Sequence, residues 1–391
     1  MSAARIVESS RTKIRRSANL DIEIMIRVQF FDGAAGVRAL APAWRSLTAQ
    51  LQSRRHFHHV EWHLALTETF ERHNLVSLRC AAVFSDDNLV AVFPFRFMRM
   101  QLGPIQLNAL RLASDHIDAA TARDFVLAPG LAETGFFQGF AKYMAEHDAS
   151  WDVMELPGIL EDSLAAKALN HCPQLPFLQV PAGPWGRVEF ISFGEDDQPL
   201  NRLTKGFKQN LRTAHNKLKA ELITFETASA EHDLLRSLPE FLKVESSGWK
   251  GELGTSALKD AATGTFLRQL ISHFAPIGGC EIRLMRIDNA AIATMFGMVV
   301  DNIWYIFRIG YDETYHRASP GHLIIENLLK ERASNKTFRV VTPYNAPPWF
   351  GAWKPDGILQ IFNAYLFRPS PHGLKLAKHV ATIMQGANQQ A

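Results

Sequence analysis

Cysteine is scarce in this sequence, with three residues in 391. Cys80, Cys172 and Cys280 lie far apart, so their spacing suits neither a zinc site nor a disulfide framework. We therefore predict no metal site. So few cysteines are typical of a protein kept in a reducing cytoplasm.

Long apolar runs are also missing. The most apolar stretches, FGMVV and LVAVFPF, are interrupted by Asp, Arg or Pro within a few residues, whereas a membrane-spanning helix needs about 20 mostly apolar residues. The start, MSAARIVESSRTKIRRSAN, is basic and serine-rich and has no apolar core of a signal peptide. We therefore expect a cytoplasmic protein without a membrane span.

A strong charge of one sign is absent as well. The sequence has 42 basic and 39 acidic residues, which gives a net charge of +3. This excess is too small to indicate nucleic-acid binding by itself. Hydrophobic residues make up 47% of the chain, so the sequence predicts a globular protein long enough for two domains.

The order of strand and helix patterns predicts an α/β (α+β) protein with two domains. We expect a disordered basic arm over residues 1–20 and a first domain over residues 21–185. The proline-rich stretch CPQLPFLQVPAGPWG suits the linker. A second domain is expected over residues 186–370, followed by a C-terminal tail over residues 371–391.

The first domain contains a clear hairpin signal, in which LVSLRCAAVF and LVAVFPFRFM flank Asp86-Asp87-Asn88. The helix pattern GFFQGFAKYMAEH and the strand pattern WDVMELPGI follow. Four histidines upstream lack the spacing of a metalloprotease motif, and we interpret them as residues around a loop that enters a helix. They are His56, His58, His59 and His63.

A polar turn between two strand patterns carries Ser114, Asp115, His116 and Asp118. A carboxylate beside an imidazole can act as a general base, because the carboxylate orients the ring and stabilises its cation. Asp115 and His116 are therefore candidate catalytic residues. The alternative is that these residues only form the turn.

The helix predicted over residues 201–222 has an apolar side and a basic side. The apolar residues are Leu203, Phe207, Leu211, Ala214 and Leu218, and the basic ones are Lys205, Lys208, Arg212, His215 and Lys219. Lys208 and Arg212 are candidates for binding phosphates or an acidic acceptor. The alternative is an ordinary solvated helix face.

The loop after the next helix pattern carries Trp249 and Lys250. Both are candidates for lining a substrate cleft, although Trp249 would serve equally well as a packing anchor. Three successive strand patterns follow, and Asp288-Asn289 and Asp301-Asn302 mark the turns between them.

The segment from Ile303 to Tyr344 reads strand, turn, helix, strand. Ser319 suits the N-cap of the helix, Pro320 its first position, and Gly321 allows close approach of another backbone or a ligand. The amides at such a helix start can hold a diphosphate. Ordinary helix capping is the alternative interpretation.

Within this segment, the run from Arg317 to His322 resembles the Arg/Gln-x-x-Gly-x-Gly/Ala turn of the GNAT acyltransferases. Proline stands at the first glycine position and histidine at the last. Other stretches resemble the CelD/BcsL-type family, a FemAB-like group with two GNAT-like halves. In chain order they are LVAVFPFRF, FKQNLRTAHNKL, Trp249-Lys-Gly and AIATMFGMVVDNIWYIFRIGYDETYHRASPGHLI.

The resemblance covers most of the chain from about Ala43 to Trp353. It implies two tandem GNAT-like domains, each with a mixed, mostly antiparallel sheet flanked by helices. It also implies an acyl-CoA-dependent N- or O-acyltransferase that uses acetyl-CoA or another acyl-CoA and no metal. The implied acceptor is a small molecule, a saccharide or a cell-envelope precursor, in connection with exopolysaccharide or cellulose production.

The resemblance also suggests roles for single residues. Arg317, Ser319, Pro320, Gly321 and His322 are expected to hold the diphosphate of the acyl-CoA. Asp312 lies next to that turn in sequence and joins Asp115 and His116 as a candidate catalytic residue; Tyr311, Glu313 and His322 are equally near.

The sequence departs from the family after the last strand, where the family has an acid and then a Tyr-Lys pair. Val340 or Val341 stands near the position of the acid, and Trp349-Phe350 near the pair. We therefore expect Tyr344 and Trp349 to contact substrate through their rings and assign no catalytic role to this region.

Two other functions fit the same patterns. The first is FemAB-like aminoacyl transfer from a charged tRNA, for which the basic helix is suggestive and which is the only case where we expect nucleic acid as a partner. The second is a non-catalytic tandem-GNAT protein that binds an acyl-CoA or a sugar.

Overall fold

The computed structural model of the protein describes residues 4–6, 10–17, 20–113, 122–173, 175–181, 186–194, 197–248, 256–343 and 345–388. The chain forms two compact units, the first made of Met1–Gly186 and Leu359–Ala391 and the second of Arg187–Ile358. Residues 359–391 thus belong to the first unit, although the sequence predicts that residues 359–370 belong to the second domain and that residues 371–391 form a tail.

The strands of the described residues are numbered in chain order. They are β1 (Ala4–Ile6), β2 (Ser10–Ser17), β3 (Leu20–Asp32), β4 (Leu78–Ser85), β5 (Asn88–Leu102), β6 (Ile105–Leu112), β7 (Val126–Leu127), β8 (Val153–Leu160), β9 (Phe177–Pro181), β10 (Arg187–Ser192), β11 (Ile223–Ala228), β12 (Cys280–Ile287), β13 (Ala290–Val300), β14 (Ile303–Tyr311), β15 (Val340–Pro343) and β16 (Gly357–Phe367).

The α-helices are numbered in the same way. They are α1 (Gly33–Thr48), α2 (Val60–Arg72), α3 (Phe136–His147), α4 (Leu164–Asn170), α5 (Lys205–Lys217), α6 (Glu231–Ser246), α7 (Ala261–Phe274), α8 (Pro320–Asn335) and α9 (Pro371–Asn388). None of the helices in the described part of the chain combines the length and apolarity that a bilayer crossing requires.

The first unit has a mixed, mostly antiparallel sheet in the order β1-β3-β4-β5-β6-β8-β16. Strand β6 runs parallel to β8, while β3, β4 and β5 pair in antiparallel register. Strands β1 and β2 both pair with β3, so residues 1–20, expected to be a disordered arm, instead contain two strands. Hydrogen bonds to β3 satisfy the backbone groups of these strands despite the basic composition of the segment.

The predicted hairpin is formed by β4 and β5, which pair from Leu78 opposite Arg96 to Ser85 opposite Asn88. Asp86 in the turn has a left-handed backbone with φ 53°, a conformation that Asp tolerates better than most residues. One face of this sheet is covered by α3, and rings stack tightly there, with the centroids of Phe93 and Phe140 4.0 Å apart.

The histidine segment enters α2 as predicted and is held by side-chain hydrogen bonds. The Nδ1 atom of His58 accepts the N–H of Arg55 at 3.1 Å, so Nε2 carries the proton and donates to Asp124 at 3.1 Å. Asp124 also accepts the N–H groups of Leu164 and Ala165, each at 2.8 Å, at the start of α4. His58 therefore ties the histidine segment to a helix cap.

The second unit has the sheet order β10-β15-β14-β13-β12-β11. Strand β14 runs parallel to β15, and β11, β12, β13 and β14 pair in antiparallel register. Helices α5 and α8 pack on one face against residues such as Met295 and Trp304. Helices α6 and α7 pack on the other face of the sheet. There the ring centroids of Phe241 and Phe296 lie 5.9 Å apart, and those of Phe266 and Phe307 lie 6.3 Å apart.

Helix α5 is shorter than the helix predicted over residues 201–222. Residues Pro199–Arg202 form a 3-10 turn instead. Thr204 has an extended backbone, and its side chain accepts the N–H of Phe207. This side-chain cap stops the helix from extending toward its N-terminus.

A buried ion pair fixes the end of α6 against β14. The guanidinium of Arg308 donates to Glu245 Oε1 at 2.9 and 2.6 Å, and Glu245 Oε2 accepts the N–H of Ala257 at 2.9 Å. The Glu245 side chain is fully buried. Gly310 allows this contact, because a Cβ there would lie 2.7 Å from the Cα of Glu245.

We expect Glu245→Gln to lower the free energy of unfolding by about 3 kcal/mol, because it leaves the charge of Arg308 in a site with little water. Urea titration measures the change. The control is Glu240→Gln, which removes a partly exposed partner of Arg286 and should cost about 1 kcal/mol or less. Equal costs for the two variants would contradict a special role for the buried pair.

All three cysteines are free and buried. Burial raises the pKa of Cys172 and Cys280 to about 12, and burial together with nearby Asp32 raises the pKa of Cys80 as well. Because only thiolates react quickly, we expect native protein at pH 8 to react with a disulfide reagent roughly a thousandfold more slowly than urea-unfolded protein. Fast labelling of one thiol would reveal local opening.

Candidate active site

The candidate site is built on β14, α8 and β15. The parallel pairing of β14 with β15 begins at Ile303 opposite Val340 and ends at Ile306 opposite Pro343, while β14 continues to Tyr311. The pairing of β14 with β13 shifts at Phe296/Gly297, which inserts Phe307 as an extra residue. Such a bulge bends a strand, so β14 changes direction where its pairing with β15 ends.

A short 3-10 turn, Glu313–Ala318, connects β14 to α8. Asp312 stabilises its start, because Oδ1 accepts both the N–H of Thr314 at 3.0 Å and the hydroxyl of Thr314 at 2.8 Å. The candidate catalytic residue Asp312 therefore lies at the predicted turn, with one carboxylate oxygen used in a cap.

Ser319 occupies the N-cap position, as predicted, but its side chain does not cap the helix. Its backbone is left-handed, with φ 48° and ψ 51°, and its side chain makes no capping hydrogen bond. Its carbonyl instead accepts the N–H groups of His322 at 2.9 Å and Leu323 at 3.3 Å. The residue is exposed, so its hydroxyl stays accessible at the helix start.

The backbone N–H of Gly321 is a donor at the start of α8. Pro320 fills the first helical position and has no N–H. No described residue accepts a hydrogen bond from the N–H of Gly321. A Cβ on Gly321 would lie 3.4 Å from Tyr311 Cδ1. An amide of this kind at the positive end of a helix dipole suits an anionic group.

Tyr311 and Glu313 form a pair beside Gly321. Burial raises the pKa of the Tyr311 phenol, and the nearby carboxylate of Glu313 raises it further. Glu313 also lies close to Gly248, since a Cβ there would be 3.3 Å from Glu313 Oε1. Tyr311 and Glu313 therefore place a phenol and a carboxylate near each other at the turn.

Arg317 is exposed, and its carbonyl accepts a hydrogen bond from Lys217 Nζ at 2.5 Å. The end of α5 is thereby attached to the turn. Lys217 also places a positive charge at the turn, next to the guanidinium-bearing residue predicted to hold phosphate.

His322 lies on the inner side of the first turn of α8. Its ring contacts Phe207 at 5.2 Å and Trp353 at 5.8 Å. Its Nδ1 atom is buried, with no hydrogen-bond partner in the described residues, and burial lowers its pKa. His322 therefore packs the turn against α5 as a neutral ring, which differs from the predicted contact with a diphosphate.

Helix α5 carries the other predicted anion ligands. Lys208 donates to the carbonyl of Asn201 at 3.1 Å, and Arg212 is exposed. His215 contacts Glu326 of α8 at 2.7 Å. Lys208 and Arg212 thus lie on the surface of a helix that packs directly against α8.

Several predicted residues lie outside the described part of the chain. They are Asp115, His116, Trp249, Lys250 and Tyr344. Trp349 is described and half-buried, with its ring 5.7 Å from that of Phe350 in an edge contact. Within the described residues, no group of three His, Cys, Asp or Glu side chains is arranged to hold a metal ion.

Three features of the site were missed from the sequence: the Glu245–Arg308 pair, the Tyr311–Glu313 pair and the contact of Lys217 with the turn. Glu245 had a usable signal. It follows Leu238 and Phe241 at helical spacing, which places a carboxylate on the buried face of α6 and indicates a buried partner.

Comparison with known proteins shows what the chain is similar to. Residues 205–341 match the family Acetyltransf_6, the acetyltransferase (GNAT) domain. This segment contains β14, α8 and the start of β15. No curated protein matches the chain.

Solved structures resemble the chain at low sequence identity. FemX is 12% identical, covers 83% of this chain and 95% of its own, and has a TM-score of 0.56. A conserved protein of unknown function from Bacteroides thetaiotaomicron VPI-5482 is also 12% identical, covers 83% of this chain and 97% of its own, and has a TM-score of 0.50. A tandem GNAT protein from the clavulanic acid biosynthesis pathway is 11% identical, with a TM-score of 0.46 and coverage of 88% and 99%.

At this identity the likeness shows a shared fold. The predicted fold class is confirmed: mixed, mostly antiparallel sheets flanked by helices, in which residues 205–341 match the model of a GNAT acetyltransferase domain. The domain match supports a transferase, while the CelD/BcsL resemblance and the acceptor stay predictions.

The buried ring of His322 generates a pH prediction. Because burial lowers the pKa of His322 in the folded protein, the unfolded chain binds a proton at this residue first as the pH falls below about 6.5. Protonation of His322 in the unfolded chain therefore lowers the free energy of unfolding below that pH. We expect His322→Phe to gain stability relative to the wild type between pH 7 and 5, by as much as about 1.4 kcal/mol per pH unit. Urea titrations at several pH values measure this, and parallel curves for the two proteins would contradict it.

Proposed function

We propose that the protein is an acyl-CoA-dependent N- or O-acyltransferase that transfers an acetyl group to a saccharide or another cell-envelope precursor. The observation that carries this proposal is the N–H of Gly321, which no described residue accepts, at the start of α8. It lies inside the segment that matches the GNAT domain. A diphosphate is the group of an acyl-CoA that such a helix start would hold.

The residues at the turn fit that group. Gly321 has no side chain to cover the amide, Ser319 has an exposed hydroxyl and Arg317 is exposed beside them. Arg and backbone N–H groups are strong phosphate ligands. Strand β14 beyond Ile306 would hold the thioester arm, since its pairing with β15 has ended there.

Catalysis in this proposal depends mainly on positioning. When bound, acetyl-CoA supplies the activated acyl group, and the protein orients it and polarises its carbonyl. Asp312 Oδ1 accepts two hydrogen bonds from Thr314 and is therefore occupied in the turn, so we do not assign Asp312 as the general base.

The first test is thermal stability with acetyl-CoA. We expect saturating acetyl-CoA to raise the melting temperature by several degrees, because a ligand at 100 times its Kd contributes about 2.7 kcal/mol. Gly321→Glu should abolish the shift, since a carboxylate there repels the diphosphate. The matched control is Gly135→Glu at the start of α3, where a Cβ would have open space; it should retain the shift.

Binding and catalysis are then separated by following free CoA. Release of CoA that depends on a saccharide acceptor supports the transferase, whereas stabilisation without release favours the non-catalytic alternative. Stabilisation by charged tRNA, lost steeply as salt rises, and none by acetyl-CoA would replace this proposal with aminoacyl transfer. The basic side of α5 is the observation in favour of that second candidate.

A further inference from the structure

The stretch that contains α5 has an unusual charge composition. From Gln198 to Ala220 the sequence has six Lys or Arg residues and no Asp or Glu, although acidic and basic residues are nearly balanced in the whole chain. Two of the six cations have a clear local function, because Arg202 pairs with Asp356 at 2.6 Å and Lys217 bonds to the turn before α8. The remaining charge is on the surface.

Three of these cations form a line that we call the α5 stripe: Lys205, Arg212 and Lys219. Lys205 and Arg212 are seven positions apart in α5, so they lie on one side of the helix about 10 Å apart. Lys219 follows seven positions later, in the turn just after the helix. All three are exposed. No ion pair or hydrogen bond involves their side chains in the described residues, so their charge is not neutralised within the protein.

Apart from Lys208, which lies three positions after Lys205, the surface around the stripe is polar and uncharged. The other fully exposed residues of α5 are amides, hydroxyls and one glycine, apart from Lys217 at its end: Gly206, Gln209, Asn210, Thr213 and Asn216. The nearest acid of α8, Glu326, already contacts both His215 and Lys330, at 2.7 and 2.9 Å. The stripe therefore combines separated positive charges with neutral hydrogen-bonding groups.

The separated cations of the stripe and the neutral hydrogen-bonding side chains around it indicate which class of molecule it binds. An anionic membrane surface is usually bound by a basic helix that also inserts apolar side chains, and α5 exposes none. Single-stranded nucleic acid is usually held by aromatic rings that stack on bases, and the exposed face of α5 has no aromatic residue. A glycan with spaced carboxylates or phosphates needs cations at intervals and amides for its hydroxyl groups.

We infer that the α5 stripe binds an anionic glycan, and that the acceptor of the proposed acyl transfer belongs to this class. Arg212 binds a carboxylate or phosphate of the chain through its planar guanidinium, and Lys205 and Lys219 bind charged groups on either side. Gln209 and Asn216, each three or four positions from two of these cations, bind the sugar hydroxyls between them. The inference rests on the proposed function for the role of the glycan, but glycan binding itself is measured without acyl-CoA.

The probe is a fluorescently labelled oligogalacturonate, and the readout is its affinity for the full-length protein at low salt. The test variant is Lys205→Gln, Arg212→Gln, Lys219→Gln. We expect at least about tenfold weaker binding, because each exposed ion pair contributes a few-fold. Binding to the wild type should weaken as salt screens the charges. A neutral maltodextrin of the same length should not bind.

The matched control is Arg187→Gln, Lys243→Gln, Arg268→Gln, which removes the same charge from exposed positions on other elements of the second unit. It should bind the oligogalacturonate like the wild type. Equal weakening in the two triple variants would mean that only net charge matters and would overturn the inference, as would tighter binding of polyuridylate RNA or phosphatidylglycerol vesicles through the stripe.

Thermal stabilisation by acetyl-CoA distinguishes a failure of this inference from a failure of the proposed function. The stripe variant should keep the stabilisation by acetyl-CoA that Gly321→Glu loses. Loss of that stabilisation in the stripe variant would assign the stripe to the nucleotide and overturn the inference while the transferase stands. Glycan binding without any response to acetyl-CoA would instead leave the stripe in place and remove the transferase.

Discussion

The contact among His322, Phe207 and Trp353 is the interaction on which the candidate site depends. The three rings meet at 5.1 to 5.8 Å, two of the contacts nearly edge to face, and so hold the inner side of the first turn of α8 against α5. Because that side is fixed by packing, the left-handed backbone of Ser319 can persist. The outer side then presents the amide of Gly321 in a defined direction, as preorganised binding requires.

Buried and exposed cations have different functions in the second unit. Arg332 is almost fully buried, and its guanidinium donates to the carbonyls of Phe338 at 3.0 Å and Gly194 at 2.7 Å while lying over the ring of Phe193. It thereby joins three segments, chiefly through backbone carbonyls. The cations of the α5 stripe instead face water, where their field extends over several ångströms and can attract a partner. The first kind of cation fixes the scaffold, and the second is available for binding.

Regular periodicity explains what could be predicted from the sequence. Alternating apolar residues predicted the hairpin of β4 and β5, and the strand-turn-helix-strand order from Ile303 to Tyr344 predicted α8. The left-handed backbone of Ser319 carries no residue-level signal, because serine seldom adopts it. The carboxylate of Asp312 was assigned from its sequence position, which says nothing about its bonds to Thr314. The pairing of β16 with β8 joins residues too distant in sequence for any local pattern to indicate.

That pairing has a consequence for how the chain is made. The N–H of Gly158 bonds to the side chain of Asn363, 205 residues further on, so the edge of β8 that receives β16 must wait until β16 has left the ribosome. Every residue of β8 is buried once the fold is complete, and an exposed apolar strand edge invites association with other chains. The first unit therefore risks aggregation during synthesis until β16 is available. In that interval the second unit can fold first, because its residues are continuous in sequence.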